Sequence, residues 1–377
     1  MLNLLGLSPA KISDFLQGHG ARPFHSQQIL QWMHQRQVRD FDAMTDLSKA
    51  LRTKLKEIAC IQLPKIARMQ FSDDGTRKWL LELEDGNQIE TVLIPDGGRN
   101  TLCVSSQVGC VLDCQFCATG KQGFNRDLTT AEIIGQLWLV QHALQQERSC
   151  RENKDVVRVQ PVAKIITNVV FMGMGEPLLN FEQVMSAIDL MFHDHAYGLS
   201  KRRVTVSTAG VAPAMEQMIG RTQASLALSL HAPDDALRSR IVPINKKYPI
   251  QVILEKVRSY LASLPDKRAV TIEYTMIKDV NDQEHQARNL IKLLRSLPCK
   301  INLIPFNPFP QSTYQCSDTA RIRQFAHLLK QAGYVVTVRS TRGDDIAAAC
   351  GQLVGVVEDR TRRQVTWRKA ALQSSGS

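Results

Sequence analysis

Apolar positions in the first part of the chain recur at helical spacing. Ser8-Pro9 pairs a capping residue with a proline suited to the first helical position, and Phe15 and Leu16 supply the apolar face. The same spacing predicts two more amphipathic helices, over residues 24–32 and 47–58. Beyond them the period drops to two. The turn clusters Ser72-Asp73-Asp74-Gly75 and Asp85-Gly86-Asn87 are flanked by alternating apolar residues such as Trp79, Leu81 and Leu83. This predicts a small β extension over residues 61–95, with a domain boundary at the Asp96-Gly97-Gly98 loop. From Thr101 onward the rhythm becomes strand, loop, helix. Strands are predicted over 101–106, 165–172, 203–207, 225–230, 270–276 and 301–305; a helix between them opens at Thr129 with Glu132 three residues on, a capping box. About six alternating βα units imply an α/β protein built on a partial TIM-like barrel. Residues 145–162 are polar and break the rhythm, which predicts an insertion loop. The expected organisation is a helical accessory unit (1–60), the β extension (61–95), the barrel (96–345) and a C-terminal segment (346–377) with a basic tail. That tail carries Arg360, Arg362, Arg363, Arg368 and Lys369.

Composition narrows the class. Of 377 residues 44% are hydrophobic, enough for a sizeable core and against a disordered chain. Lysine and arginine outnumber acidic residues 47 to 36, a formal charge of +11 that favours a polyanionic partner such as RNA or DNA, though a solvated basic surface has the same composition. No apolar run is long enough to span a bilayer, and the short apolar start is followed by Lys11 and Asp14 without a cleavage site. The expectation is a cytoplasmic protein with no membrane partner. Its nine cysteines are then better read as ligands, nucleophiles or core residues than as disulfides.

The densest chemistry is Cys110-Val111-Leu112-Asp113-Cys114-Gln115-Phe116-Cys117, directly after a predicted strand. Structural zinc sites close around four ligands, commonly as two separated pairs. Three thiols without a partner pair point instead to an iron–sulfur cluster with one iron open to a small molecule; a zinc knuckle is the other reading. In parallel α/β folds ligands sit at the carboxyl ends of the strands. Gly173-Met174-Gly175-Glu176-Pro177, Ser207, Ser229-Leu230-His231 and Asn307 recur at those ends. Each alone is ordinary turn or cap chemistry, and together they mark one end of a barrel as a site.

A Cys-x-x-x-Cys-x-x-Cys loop in a βα repeat resembles the radical S-adenosylmethionine (SAM) superfamily. Longer strings resemble its RlmN family of RNA methyltransferases: Gln107-Val108-Gly109-Cys110, Gly123-Phe124-Asn125-Arg126, the run 173–180, Leu199-Ser200-Lys201-Arg202-Arg203-Val204, Ser229-Leu230-His231-Ala232-Pro233, and the runs 241–247, 301–305 and 341–353. The resemblance spans the helical N-terminus, nearly the whole barrel and the start of the tail, but not residues 145–162 or those after Arg363. It implies a partial barrel, one 4Fe–4S cluster held by Cys110, Cys114 and Cys117, and SAM bound at Gly175, Glu176, Ser207, Ser229, Leu230, His231 and Asn307. It also implies that two SAM molecules are consumed per turnover. The implied reaction methylates carbon 2 of an adenine in 23S rRNA and in some tRNAs. Cys350 takes a methyl group from the first SAM. A radical from the second removes hydrogen from it, and the methylene radical adds to the base. Cys103 attacks Cys350 to release product as a disulfide forms, and Glu90 accepts the proton. A reductase such as flavodoxin is the expected electron source, and a monomer the expected state.

The residues by themselves rank these roles lower. Cys350 lies in an apolar run, where a lone cysteine is most often core, and Glu90 has the pattern of a solvated strand residue. Activating Cys350 needs a nearby cation or desolvation, with Arg342 the neighbour in sequence. Cys60, Cys150, Cys299 and Cys316 match no role. RNA contacts are expected from the helical N-terminal unit, Lys201-Arg202-Arg203, Lys246-Lys247 and the C-terminal arginines, and the target base must flip out of its stack. Two alternatives remain: methylation at carbon 8 by a Cfr-like enzyme, and a zinc-bearing RNA-binding module without catalysis.

Overall fold

The computed structural model describes residues 1–151, 165–310, 312–361 and 363. Local capping sets the N-terminal unit. After the two-residue strand β1 (Leu2–Asn3), helix α1 (Pro9–Gln17) starts at its proline, with the Ser8 hydroxyl accepting the Lys11 N–H. Helix α2 (Phe24–Leu30) runs on through a π turn over Gln31–Gln35, and α3 (Lys49–Ile58) is capped by Ser48. β2 (Ala59–Cys60) pairs in parallel with β1. Ile12, Leu16, Ile29, Leu30, Met33 and Leu55 form the inner face of the unit.

His34 sits fully buried in this unit, with Nδ1 at 3.3 Å from the Tyr197 hydroxyl. Burial first, then the neighbouring His193, lowers its pKa from 6.5 to about 3. A histidine held neutral in the fold contributes stability that is complete above its unfolded pKa. That stability drains away as pH falls from 6.5 toward about 3. Between pH 7 and pH 4 the loss is on the order of 3 kcal/mol. His34→Gln is therefore expected to flatten the decline of urea-unfolding free energy over this range. An unchanged slope would place the acid sensitivity elsewhere.

Three antiparallel strands follow, β3 (Lys65–Phe71), β4 (Arg77–Glu82) and β5 (Gln88–Asp96). The Asp96-Gly97-Gly98 loop, read in the sequence as a boundary, carries the sheet straight on. Asp96 pairs with Arg99, and Gly97 and Gly98 adopt φ of 50° and 83°, as a two-residue hairpin turn demands. The hairpin delivers β6 (Arg99–Cys103), which opens the parallel part. A short antiparallel pair, β7 (Gln107–Gly109) and β8 (Phe124–Asp127), encloses helix α4 (Ala118–Gln122). Then come α5 (Thr130–Arg151), β9 (Asn168–Phe171), α6 (Phe181–Phe192), β10 (Val204–Thr208), α7 (Ala212–Gln217), β11 (Ser225–Ser229), α8 (Asp235–Ile241) and α9 (Ile250–Ser263). The chain continues through β12 (Val270–Met276), α10 (Glu284–Leu294), β13 (Cys299–Pro305), α11 (Thr319–Gln331) and β14 (Val335–Val338).

One ten-stranded sheet results, in the order β14-β13-β12-β11-β10-β9-β6-β5-β4-β3. From β6 to β14 every neighbouring pair is parallel, joined by crossover helices, which is the partial barrel that alternating βα units imply. All six predicted strands are present. β14 is an additional edge strand of four residues, three of them exposed, too short and too wet to show a buried-strand pattern. Residues 145–151 of the predicted insertion loop instead extend α5. Gln145, Gln146, Glu147 and Arg148 are good helix formers, and the Glu147 carboxylate accepts two 2.8 Å bonds from Arg77 of β4. Residues 152–162 lie outside the described residues. Among the described residues no helix is long and apolar enough to cross a membrane.

Candidate active site

The carboxyl ends of the parallel strands open into a cavity enclosing about 930 Å³ of non-protein space, part of it open to solvent. That is the scale of a small-molecule site. Its wall gathers Cys110, Cys114 and Cys117 with Gly175, Glu176, Ser207, Ser229, His231, Asn307 and Cys350. Leu230, predicted among the SAM contacts, is fully buried and is not part of this wall.

The three cysteines lie on the loop between β7 and α4. The Cys110 N–H donates to Gly123 O at 2.7 Å, and Cys117 caps α4. Burial pushes all three thiols up, and their mutual repulsion adds to the effect at Cys110 and Cys114. Among the described residues no three His, Cys, Asp or Glu side chains gather tightly enough to hold a single metal ion. Three thiols lining one cavity fit an iron–sulfur cluster with one iron left open, whose positive core offsets their repulsion, better than a structural zinc closed by four ligands. The fourth cysteine of the wall, Cys350, already accepts a 2.8 Å bond at Sγ from Arg339 Nη1.

The glycines of Gly173-Met174-Gly175 answer to close backbone approach. A Cβ on Gly173 would lie 2.7 Å from Val104 O; one on Gly175, at φ 97°, would lie 2.5 Å from Gln107 Cβ. This pins Glu176 at the cavity wall, where its carboxylate accepts N–H bonds from Leu178 at 3.1 Å and Ala209 at 2.8 Å. Burial raises its pKa to about 6 against these bonds. His231 holds φ 59°, and its Nδ1 accepts the Thr275 N–H at 3.0 Å. The proton of the neutral ring then sits on Nε2. Burial, followed by the charge of Arg238, lowers the His231 pKa to about 3, so the ring stays neutral at working pH.

Arg238, Glu273 and Arg339 were not singled out in the sequence. The Arg238 side chain is fully buried under the strand ends, donating to Leu230 O, Ser229 O, Ala209 O and Asn245 Oδ1 at 2.7–3.0 Å. Glu273 lines the cavity from the middle of β12 and accepts the Asn302 amide at 2.8 Å. A charge inside an otherwise uncharged predicted strand was the available signal. Arg339, directly after β14, supplies the cation at Cys350 that the sequence sought in Arg342. Arg342 instead faces Asp74 at 3.9 Å.

Cys103 ends β6 and shares with Cys350 and Arg339 a second, smaller cavity adjoining the first through Met172, Asn307 and Cys350. Burial pushes its thiol up to about 12. Glu90, on β5, is in the wall of neither cavity. Its carboxylate pairs with Lys78 at 3.0 Å and accepts the Val354 N–H at 2.9 Å. Burial is the largest influence and raises its pKa despite Lys78. The structure thus joins Glu90 to Cys350 through the chain that follows that cysteine, rather than placing it in the cavity wall.

That chain is strapped across the site. Asn307 Nδ2 donates to Cys350 O at 3.1 Å, the Ala118 N–H to Gly351 O at 2.7 Å, and the Thr119 hydroxyl to Leu353 O at 2.7 Å. Further along, Gln88 N–H binds Val356 O and the Asn125 amide binds Glu358 O. Arg363, read from the sequence as tail, ends the strap by donating to Cys110 O, Leu112 O and Gly120 O at 3.0 Å, and also to Val111 O. Cys150 is exposed, and Cys60, Cys299 and Cys316 are half-buried; none of them lines either cavity.

Comparison with known proteins agrees with this geometry. Residues 2–61 match the family model of the ribosomal RNA large subunit methyltransferase N-terminal domain, and residues 104–291 that of the radical SAM superfamily. The dual-specificity RNA methyltransferase RlmN of Marinobacter nauticus is 58% identical over 362 residues, covering 96% of this chain and 95% of that protein. The one from Pseudomonas fluorescens is 55% identical, over 96% and 92%. A crystal structure of a radical SAM methyltransferase from Sphaerobacter thermophilus superimposes with a TM-score of 0.84 at 38% identity, covering 94% of this chain and 99% of that one. Superfamily membership implies SAM and a 4Fe–4S cluster, and the three-thiol cavity fits both. With near-complete coverage at this identity, the chain belongs to the RlmN family of the radical SAM superfamily.

Proposed function

We propose that this protein is a dual-specificity RNA methyltransferase that methylates carbon 2 of an adenine in 23S rRNA and in some tRNAs. The reading rests on one observation above all. Cys350 stands in the wall of the cluster cavity and also in the second cavity with Cys103 and Arg339, so one sulfur faces both the SAM site and a resolving thiol. Carbon 2 of adenine lies between two ring nitrogens and is too electron-poor to attack the methyl group of SAM. When bound, the cluster supplies the electron that cleaves SAM to methionine and a 5′-deoxyadenosyl radical.

The chain's own residues do the rest. Cys110, Cys114 and Cys117 hold the cluster; Gly175, Glu176, Ser207, Ser229, His231 and Asn307 hold SAM, with Leu230 fixing the turn between Ser229 and His231 from behind the wall. Cys350 accepts a methyl group from a first SAM, gives up a hydrogen atom from it when a second is cleaved, and bonds through the methylene carbon to the base. Arg339 places a positive charge against this sulfur. Glu90 accepts the proton lost from carbon 2, and its burial-raised pKa suits a base. As this proton leaves, the adduct radical gives up its unpaired electron to the cluster left oxidised by SAM cleavage. Cys103 then forms a sulfur–sulfur bond to Cys350 as the sulfur–methylene bond breaks, and the methylene carbon keeps the electron pair and takes up a proton.

Exposed Lys201, Lys246 and Lys247 suit RNA phosphate contacts. Arg202 shares its charge with Asp266 at 2.7 Å, and Arg363 is committed to the cysteine loop. Arg362, Arg368 and Lys369 lie outside the described residues. A flavodoxin-type reductase and a monomeric state complete the reading.

The test is anaerobically reconstituted protein with SAM, reductant and unmodified RNA fragments. The expected result is 5′-deoxyadenosine together with 2-methyladenosine in both rRNA and tRNA substrates, assigned by mass spectrometry of digests. Methylation without 5′-deoxyadenosine would end the radical mechanism, and 8-methyladenosine the carbon-2 assignment.

A further inference from the structure

The loop from Cys110 to Cys117 has little regular structure of its own, yet it must hold three sulfurs in fixed positions. Carbonyls of Cys110, Val111, Leu112 and Gly120 all turn to a single guanidinium, that of Arg363, more than 240 residues away in sequence. Arg363 also ends the strap that begins at Cys350 and is bonded to the same loop and helix α4 through Ala118 and Thr119. From this geometry we infer that Arg363 is a positioning residue for the iron–sulfur cluster. It gathers the loop's carbonyls, and through the strap makes the cysteine loop and Cys350 one body. The inference rests on Cys110, Cys114 and Cys117 being the cluster ligands.

Two physical consequences separate this role from general stabilisation. A planar fork can serve several acceptors at once, which an ammonium cannot reproduce, so cluster retention depends on the arginine shape. A fixed positive charge beside the loop also favours the reduced cluster, which carries one more negative charge, so the potential depends on the charge alone.

The experiment uses full-length, reconstituted Arg363→Gln and Arg363→Lys proteins, with Arg360→Gln as a control. Arg360 is exposed on the same strap, and its loss changes net charge equally. Iron and sulfide content, the rate of loss of cluster absorbance to a chelator, and the cluster's midpoint potential are measured, with circular dichroism melts to confirm folding. Expected for Arg363→Gln is a cluster lost about tenfold or more faster, the scale of outer-shell losses at metal sites. Its potential should also be more negative. Arg363→Lys restores the potential but not the retention, and Arg360→Gln matches wild type in both. A folded Arg363→Gln that keeps wild-type retention and potential overturns the proposal. So does a lysine variant that restores neither, because the effect is then only structural. Wild-type protein that takes up no iron sinks the cluster assignment itself, and the proposal with it.

Discussion

Cys350→Ala is expected to abolish methyladenosine formation while SAM is still cleaved to 5′-deoxyadenosine. Nothing else in the cavity wall can carry a methyl group in the same way. The other thiols there belong to Cys110, Cys114 and Cys117, which sit on the cluster loop; Met172 offers only a thioether that already carries two carbons, and Cys103 is confined to the second cavity. Alanine removes the sulfur but leaves the cluster loop and the Asn307 bond to the residue 350 carbonyl in place, so cleavage of SAM should persist without a productive acceptor. The companion variant, Cys103→Ala, should fail later. With no thiol to attack Cys350, the methylene bridge between protein and base persists, and a covalent protein–RNA species accumulates. Product analysis together with denaturing gels of labelled RNA reads both outcomes. Methyladenosine from Cys350→Ala would remove Cys350 from the transfer. The absence of any adduct with Cys103→Ala, at undiminished turnover, would remove Cys103 from release.

The part of this site legible in the sequence is the part written in local spacing. Cys110, Cys114 and Cys117 fall within eight residues, and the Gly-Met-Gly turn, Ser207, Ser229 and His231 lie at or just past the ends of predicted strands. Strand periodicity also located the barrel, because strands buried between helices must be apolar throughout. What remained hidden depends on long-range closure. Arg363 meets Cys110 across 253 residues, and Lys78 meets Glu90 only because β4 and β5 pair as neighbours. Arg339 acquires meaning only when the chain after β14 turns Cys350 back toward it. The hairpin at Gly97 and Gly98 shows the converse. A turn signal is strong evidence for a reversal and weak evidence for a domain edge, since a two-residue turn keeps neighbouring strands bonded. Helix α5 ran past its predicted end because Glu147 found Arg77, a partner with no sequence mark.

Arg238→Met should destabilise the protein by about 3–5 kcal/mol, the range for breaking a buried, hydrogen-bonded charge network. Two effects oppose each other. Burial lowers the Arg238 pKa to about 10, so holding the guanidinium charged is itself costly, and an apolar side chain of similar length avoids that cost. Methionine, however, leaves Ser229 O, Ala209 O and Asn245 Oδ1 without the guanidinium in a place water does not reach, while Leu230 O keeps the Ala232 N–H at 2.8 Å. Each orphaned acceptor costs about 1–3 kcal/mol, and three of them outweigh one desolvated cation. At neutral pH the group sits well below a pKa of about 10, so the native arginine keeps all its donors. The carbonyls at stake belong to the turn that presents Ser229 and His231 to the cavity, so SAM binding should weaken along with stability, by about tenfold or more. Urea unfolding and SAM titration of the reconstituted protein measure the two quantities. Arg238→Lys, with fewer donors but the same charge, should fall between wild type and Arg238→Met in both. An Arg238→Met protein as stable as wild type would mean that desolvation wins, and that the strand ends are held by the sheet and not by this cation.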